Sequence, residues 1–186
     1  MACHKVTALD LAASGVHPTQ ADDIHSFSEY YEPLMEFMTS LPPEEKVILV
    51  GHSMGGYSIS AAMERFPEKI SAGVFATAFM PGPDFSYMTL KEEDLTLATL
   101  ALRPFPLRDD GGALNVVVTK EKYGSVPRIY VVCGRDNIIK EDYQRWMIDN
   151  NPTDEVKFIA DSDHMVMFSK PQELCSYLHA IGKKYL

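Results

Sequence analysis

The feature that most constrains this chain is a short apolar run, Lys46 to Val50 (KVILV), joined without a spacer to Gly51-His52-Ser53-Met54-Gly55-Gly56. An amphipathic stretch, Met54 to Phe66, follows and is stopped by Pro67. A buried strand that turns within two residues into a helix needs small residues on both sides of the turn. Gly51 and Gly55 supply them, and the pattern G-x-S-x-G sets Ser53 at the apex. There the serine takes a strained backbone conformation and its hydroxyl stands clear of the sheet. The N-terminus of the following helix aims amide N–H groups at the same point and favours negative charge there. The Met54 N–H is the expected oxyanion donor. The pentapeptide alone is a weak signal, because Gly and Ser are common in turns. Its place between a strand and a helix makes Ser53 a nucleophile candidate.

A serine nucleophile needs a base, and the base needs an orienting carboxylate. On a fold of this kind the chain order is Ser, then Asp or Glu, then His, with both partners in loops just after strands. Asp136 follows the strand-like RIYVVC (Arg128 to Cys133) by a Gly-Arg turn, and His164 follows EVKFIA (Glu155 to Ala160) by Asp161-Ser162-Asp163. Order and placement single out these two. His4, His17 and His25 precede the serine and read as loop residues. His179 reads as the solvated face of a helix. His52 adjoins Ser53, but its side chain is expected to project away from the hydroxyl. Asp161 and Asp163 read as solvated loop carboxylates. Met54, Met80, Met88, Met165 and Met167 fall near the expected site and offer an adaptable apolar lining. Ordinary packing is the competing reading of each.

Composition narrows the remaining possibilities. The 186 residues fit one domain spanning 1–186, and 46% hydrophobic with 23% charged residues is ordinary for a globular chain. A net charge of −9 argues against nucleic acid or an anionic membrane as partner. No apolar run reaches the length of a membrane-spanning helix, and the start lacks a signal-peptide run. Cys3, Cys133 and Cys175 are too few for a disulfide scaffold and suit a reducing, cytoplasmic setting. No zinc spacing, P-loop or G-x-G-x-x-G is present, so no metal or nucleotide cofactor is expected.

Along the chain, apolar runs alternate with amphipathic stretches, the pattern of a doubly wound α/β fold with a mostly parallel sheet. Five strands are expected: Lys5 to Asp10, Lys46 to Val50, Ile70 to Phe79, Arg128 to Cys133 and Glu155 to Ala160. Helices are expected after a capping box at Ser26 and Glu29, over Met54 to Phe66, Lys91 to Leu102, Glu141 to Asn150 and Pro171 to Tyr185. Pro33 should kink the first helix or move its start.

Several stretches resemble the plant methylesterase family of α/β-hydrolases, which includes methyl salicylate, methyl jasmonate and methyl indoleacetate esterases, polyneuridine aldehyde esterase and the hydroxynitrile lyases. They are HKVTALDLAASG (His4 to Gly15), EKVILVGHSMGG (Glu45 to Gly56), AMERFPEKI (Ala62 to Ile70), YGSVPRIYVVC (Tyr123 to Cys133), QRWMIDN (Gln144 to Asn150) and DHMVM (Asp163 to Met167). The resemblance implies Ser53, Asp136 and His164 as a triad that hydrolyses a small methyl ester through an acyl-enzyme, without a cofactor. Met54, through its N–H, and Met80 and Met165, by their place near the expected site, are the candidate oxyanion or substrate contacts. Lyases of the group carry Lys after the triad histidine and Glu before the serine. Met165 and His52 stand there in this chain, which favours the esterase.

Two departures from the family pattern stand out. The resemblance implies a first strand, a His-Gly loop with a second oxyanion donor, and a helix, all ahead of His4. It also implies a long helical cap where Phe79-Met80-Pro81 here runs almost directly into Lys91-Glu92-Glu93-Asp94, so only a residual cap of about 82–125 is expected. Losing one oxyanion donor lowers a rate by about 100- to 1,000-fold. A non-catalytic binder of a small carboxylic acid, or an inactive fragment, are therefore the alternatives to an impaired esterase. Whether the chain forms a homodimer stays open.

Overall fold

The computed structural model describes residues 4–84 and 116–186. Among these, β1 (Val47–Ser53), β2 (Ile70–Ala78), β3 (Arg128–Cys133) and β4 (Glu155–Ile159) form one sheet in the order β1-β2-β3-β4. Every neighbouring pair is parallel. The helices are α1 (Phe27–Ser40), α2 (Gly55–Arg65), α3 (Glu141–Asn150), the single turn α4 (Val166–Ser169) and α5 (Pro171–Tyr185).

Parallel strands need helical crossovers, and crossovers cover both faces. That is why β2 and β3 are apolar nearly throughout and buried along almost their whole length. On one face, Phe75 and Tyr130 of the sheet pack with Met38 of α1, Tyr57 and Met63 of α2, and Met147 of α3. On the other, Val74, Ile129 and Val131 meet Val166 of α4 and Leu174 and Ile181 of α5. The expected α/β class and parallel sheet are therefore present. Among the described residues no helix is long and apolar enough to cross a membrane.

Two local expectations need correction. Lys5 to Asp10 is not a strand: it is exposed along its length, with Val6 at 87%. Its alternating pattern is compatible with a strand, but a strand exists only where a neighbour takes up its backbone hydrogen bonds. β1 is an edge of the sheet and does not pair with it. The capping box at α1 is offset by one residue. The Ser26 hydroxyl accepts the Glu29 N–H at 3.2 Å, while the Glu29 carboxylate accepts the His25 N–H at 2.8 Å instead of that of Ser26. Pro33 lies inside α1 without shifting its start from Phe27, and costs the helix one interior hydrogen bond. The expected helix over Lys91 to Leu102 lies outside the described residues, as does Met88. Of the residual cap, residues 82–84 and 116–125 are described, and the second stretch is tied to the body of the fold. The Glu64 carboxylate of α2 holds residues 116–125, accepting from the Thr119 N–H at 2.8 Å, the Thr119 hydroxyl and the Tyr123 N–H.

The start of α2 is pressed against the end of β2. A Cβ on Gly56 would lie 1.9 Å from the Phe79 carbonyl oxygen, and one on Gly51 would lie 2.7 Å from the Gly55 carbonyl oxygen. At Gly55 nothing lies within 4 Å of that position. Gly56→Ala is therefore expected to destabilise the fold by about 1–3 kcal/mol through overpacking. Gly55→Ala should change stability little. Thermal melts of the two variants check this; equal melting temperatures would contradict it.

Candidate active site

β1 ends at Ser53, and α2 begins two residues later. In that space the chain reverses, and Ser53 takes φ 52, a left-handed conformation that L residues rarely adopt. The Phe79 N–H donates to the Ser53 carbonyl at 3.1 Å and holds the turn against the end of β2. Met54 is the N-cap of α2, so its N–H belongs to the first turn and has no partner within the helix.

Asp136 and His164 meet as the chain order suggested. The His164 Nδ1–H donates to Asp136 Oδ2 at 2.7 Å, and both residues are buried. This bond fixes the tautomer and leaves Nε2 as the basic nitrogen. Asp136 Oδ1 accepts the N–H groups of Ile138 and Ile139 at 2.7 and 2.9 Å. Its Oδ2 also accepts the Thr77 hydroxyl. Burial alone pushes the Asp136 carboxyl up. The hydrogen bonds from His164, Thr77 and the Ile138 N–H, with the His164 charge, outweigh burial and hold it below its ordinary value. The other two loop carboxylates have different partners. Asp161 pairs with Arg135 at 2.8 Å, and Asp163 accepts the Met165 N–H at 3.0 Å.

Among the described residues no hydrogen bond reaches the Ser53 hydroxyl. Ser53 is linked to His164 through its neighbour. His52 sets its ring against that of His164, a contact the sequence did not signal: the ring centroids lie 4.7 Å apart. Its Nε2 bonds the His164 carbonyl at 2.7 Å. A carbonyl only accepts, so His52 carries its proton on Nε2. Thr77 was likewise not singled out from the sequence. These contacts span 112 and 59 residues, beyond the reach of local spacing.

The methionines differ in placement. Met54 is partly buried at the turn, and Met165, next to His164, is 43% exposed. Met80 is fully buried, with its N–H on Met147 Sδ at 3.4 Å, so it is a core residue. Cys133 ends β3 nearby, and burial pushes its thiol up to about 11, which leaves it a poor nucleophile.

Comparison with known proteins agrees with the fold. A sequence model described as the alpha/beta hydrolase fold matches residues 3–100. Methyl jasmonate esterase 1 of Vitis vinifera is 49% identical, over 98% of this chain and 87% of that protein. Methylesterase 3 of Arabidopsis thaliana is 43% identical over the same shares. The crystal structure of a mutant of tomato methylketone synthase I superposes with a TM-score of 0.86 at 40% identity, covering 98% of this chain and 88% of that one. The grapevine alignment runs over 228 residues against the 186 here, so at least 42 aligned positions have no counterpart in this chain.

The site couples the fold to pH. Burial holds the His52 imidazole below its ordinary value of 6.5, more strongly than its bond to the His164 carbonyl raises it. The unfolded chain binds this proton more readily than the folded one, so stability is lost as pH falls below about 6.5. Asp136 acts in the same direction only at lower pH, near and below the ordinary carboxylate range. The melting temperature is therefore expected to drop between pH 7 and pH 5, and His52→Gln should flatten that drop. Parallel slopes for the two proteins would contradict the assignment.

Proposed function

This chain belongs to the plant methylesterase family of α/β-hydrolases and is a carboxylesterase, and from that premise we propose a serine mechanism carried by Ser53, His164 and Asp136. The substrate is the methyl ester of a small plant acid of the jasmonate, salicylate or indoleacetate type. The similarity to a protein named methyl jasmonate esterase supports methyl jasmonate as the first ester to test. The observation that carries the mechanism is the 2.7 Å bond from His164 to a buried carboxylate at the sheet end where Ser53 sits at φ 52.

His164 Nε2 takes the Ser53 proton as the oxygen attacks the ester carbonyl. The negative charge that develops on the carbonyl oxygen falls in front of α2, where the Met54 N–H donates to it. Collapse of the tetrahedral intermediate breaks the bond to the methoxy oxygen, which leaves as methanol with the proton from His164. Water, deprotonated by the same nitrogen, then cleaves the acyl-enzyme and releases the acid. Asp136 stays ionised throughout and stabilises the imidazolium. Met54 and Met165 offer apolar surface beside the reacting carbonyl. The aligned positions missing from this chain fit a shortened cap between Pro81 and Lys91. A shorter cap removes apolar contacts to the acyl group and raises KM.

The test is methanol release from methyl jasmonate by the wild-type protein, Ser53→Ala and Asp136→Asn. Ser53→Ala is expected to abolish turnover, and Asp136→Asn to lower kcat by about 10⁴-fold by holding the wrong tautomer. Turnover that survives in Ser53→Ala would overturn the mechanism. Saturable binding of the acid without turnover in the wild-type protein would favour a carboxylate-binding role instead.

A further inference from the structure

Thr77 departs from the regular sheet in two ways. The register between β1 and β2 runs His52 opposite Ala76 and then Ser53 opposite Ala78, so Thr77 is an extra residue, a bulge in β2. It takes φ 40. A β-branched residue in that region is a conformational outlier, and glycine would sit there without strain. Bulges beside functional sites re-aim side chains, and the packing reports that here. Ala72, Val74 and Ala76 share one face, Phe75 the other, and regular alternation would put Ala78 with Ala76. Instead Ala78 packs on the Phe75 side. Thr77, freed from both faces, is fully buried, and its hydroxyl donates to Asp136 Oδ2.

That contact completes the carboxylate. Oδ1 has the Ile138 and Ile139 N–H groups; Oδ2 has the His164 Nδ1–H and the Thr77 hydroxyl. Four donors meet the four acceptor positions of an ionised carboxylate. The two backbone donors come from the segment just after Asp136. Only Thr77 ties the acid to a different strand, the one whose end is bonded to Ser53. We infer that Thr77 is a positioning residue for the ester-cleaving reaction: its hydroxyl, delivered by the bulge in β2, locks the Asp136 carboxylate on His164 and draws charge away from the oxygen that His164 shares. This rests on the reading of Ser53, His164 and Asp136 as a triad.

Without the hydroxyl, Oδ2 keeps His164 alone. The carboxylate gains freedom to turn, and its charge falls more fully on the imidazole, which then holds a proton to higher pH. The titratable groups around Asp136 are His164, His52 from β1, Tyr130 and Cys133 from β3, with Asp163 beyond Cys133. His52 is the other imidazole among them, so its contribution must be separated.

The experiment is the rate of fluorophosphonate reaction, read by intact mass from pH 5 to 9, for wild type, Thr77→Val, Thr77→Ser and Ser53→Ala. The series is repeated in the His52→Gln background. Thr77→Val is expected to react about tenfold more slowly at pH 7, the scale of losing one hydrogen bond to a charged group. The acid limb of its profile should move to higher pH in both backgrounds. Thr77→Ser should restore rate and limb. Should Thr77→Val fail to melt cooperatively, Thr77→Ala carries the same readout. A Thr77→Val protein with wild-type rate and limb, beside an unreactive Ser53→Ala, overturns the role of Thr77 while the triad stands. A slower rate with an unmoved limb and no rescue by Ser overturns it too, leaving Thr77 as packing. A Ser53→Ala protein that reacts like wild type overturns the serine reading itself, and the role of Thr77 with it.

Discussion

The close approach of the α2 N-terminus to the ends of β1 and β2 is the constraint on which the rest of the molecule depends. A single Cβ at Gly56 would overlap the Phe79 carbonyl. The Phe79 N–H in turn is bonded to the Ser53 carbonyl. Two successive strands and a helix are thus fastened at one point, and the backbone strain at Ser53 is held there by that bond and that close approach. Strain of that kind costs about 1–3 kcal/mol and persists only where surrounding contacts over-determine it. The parallel sheet provides them: its covered faces bury β2 and β3 almost completely, and its C-terminal edge gathers the loops that carry Asp136 and His164.

The polar contacts at that edge form one connected set. Thr77 bonds Asp136, Asp136 bonds His164, and His52 bonds the His164 carbonyl and sets its ring against that of the same residue. Each of the four lies at or just beyond a strand end or in a loop. None shares an element with the residue it bonds. Such a network fixes a geometry more tightly than any pair could, because each member's remaining freedom is removed by the next.

What the sequence made legible follows from how local each signal was. KVILV followed by the Gly-Ser-Gly turn is written within eleven residues, and both the strand and the helix lie where that pattern put them. Asp136 and His164 were readable because each follows an apolar strand at a short interval. Lys5 to Asp10 carries an equally plausible alternation and is not a strand, since pairing depends on a neighbour that its own residues cannot report. His52 and Thr77 were missed for a related reason. The side-chain direction of His52 depends on a loop 112 residues away. That of Thr77 depends on a bulge set by register, which no periodicity encodes.

The account stands on Ser53 being an activated nucleophile. The most direct measurement is peptide mapping of the protein after brief exposure to an activated acyl ester and an acid quench. The expected result is a single acyl group on the peptide that contains Ser53. A protein that melts cooperatively yet carries no acyl group, or carries it on a different residue, would contradict the account.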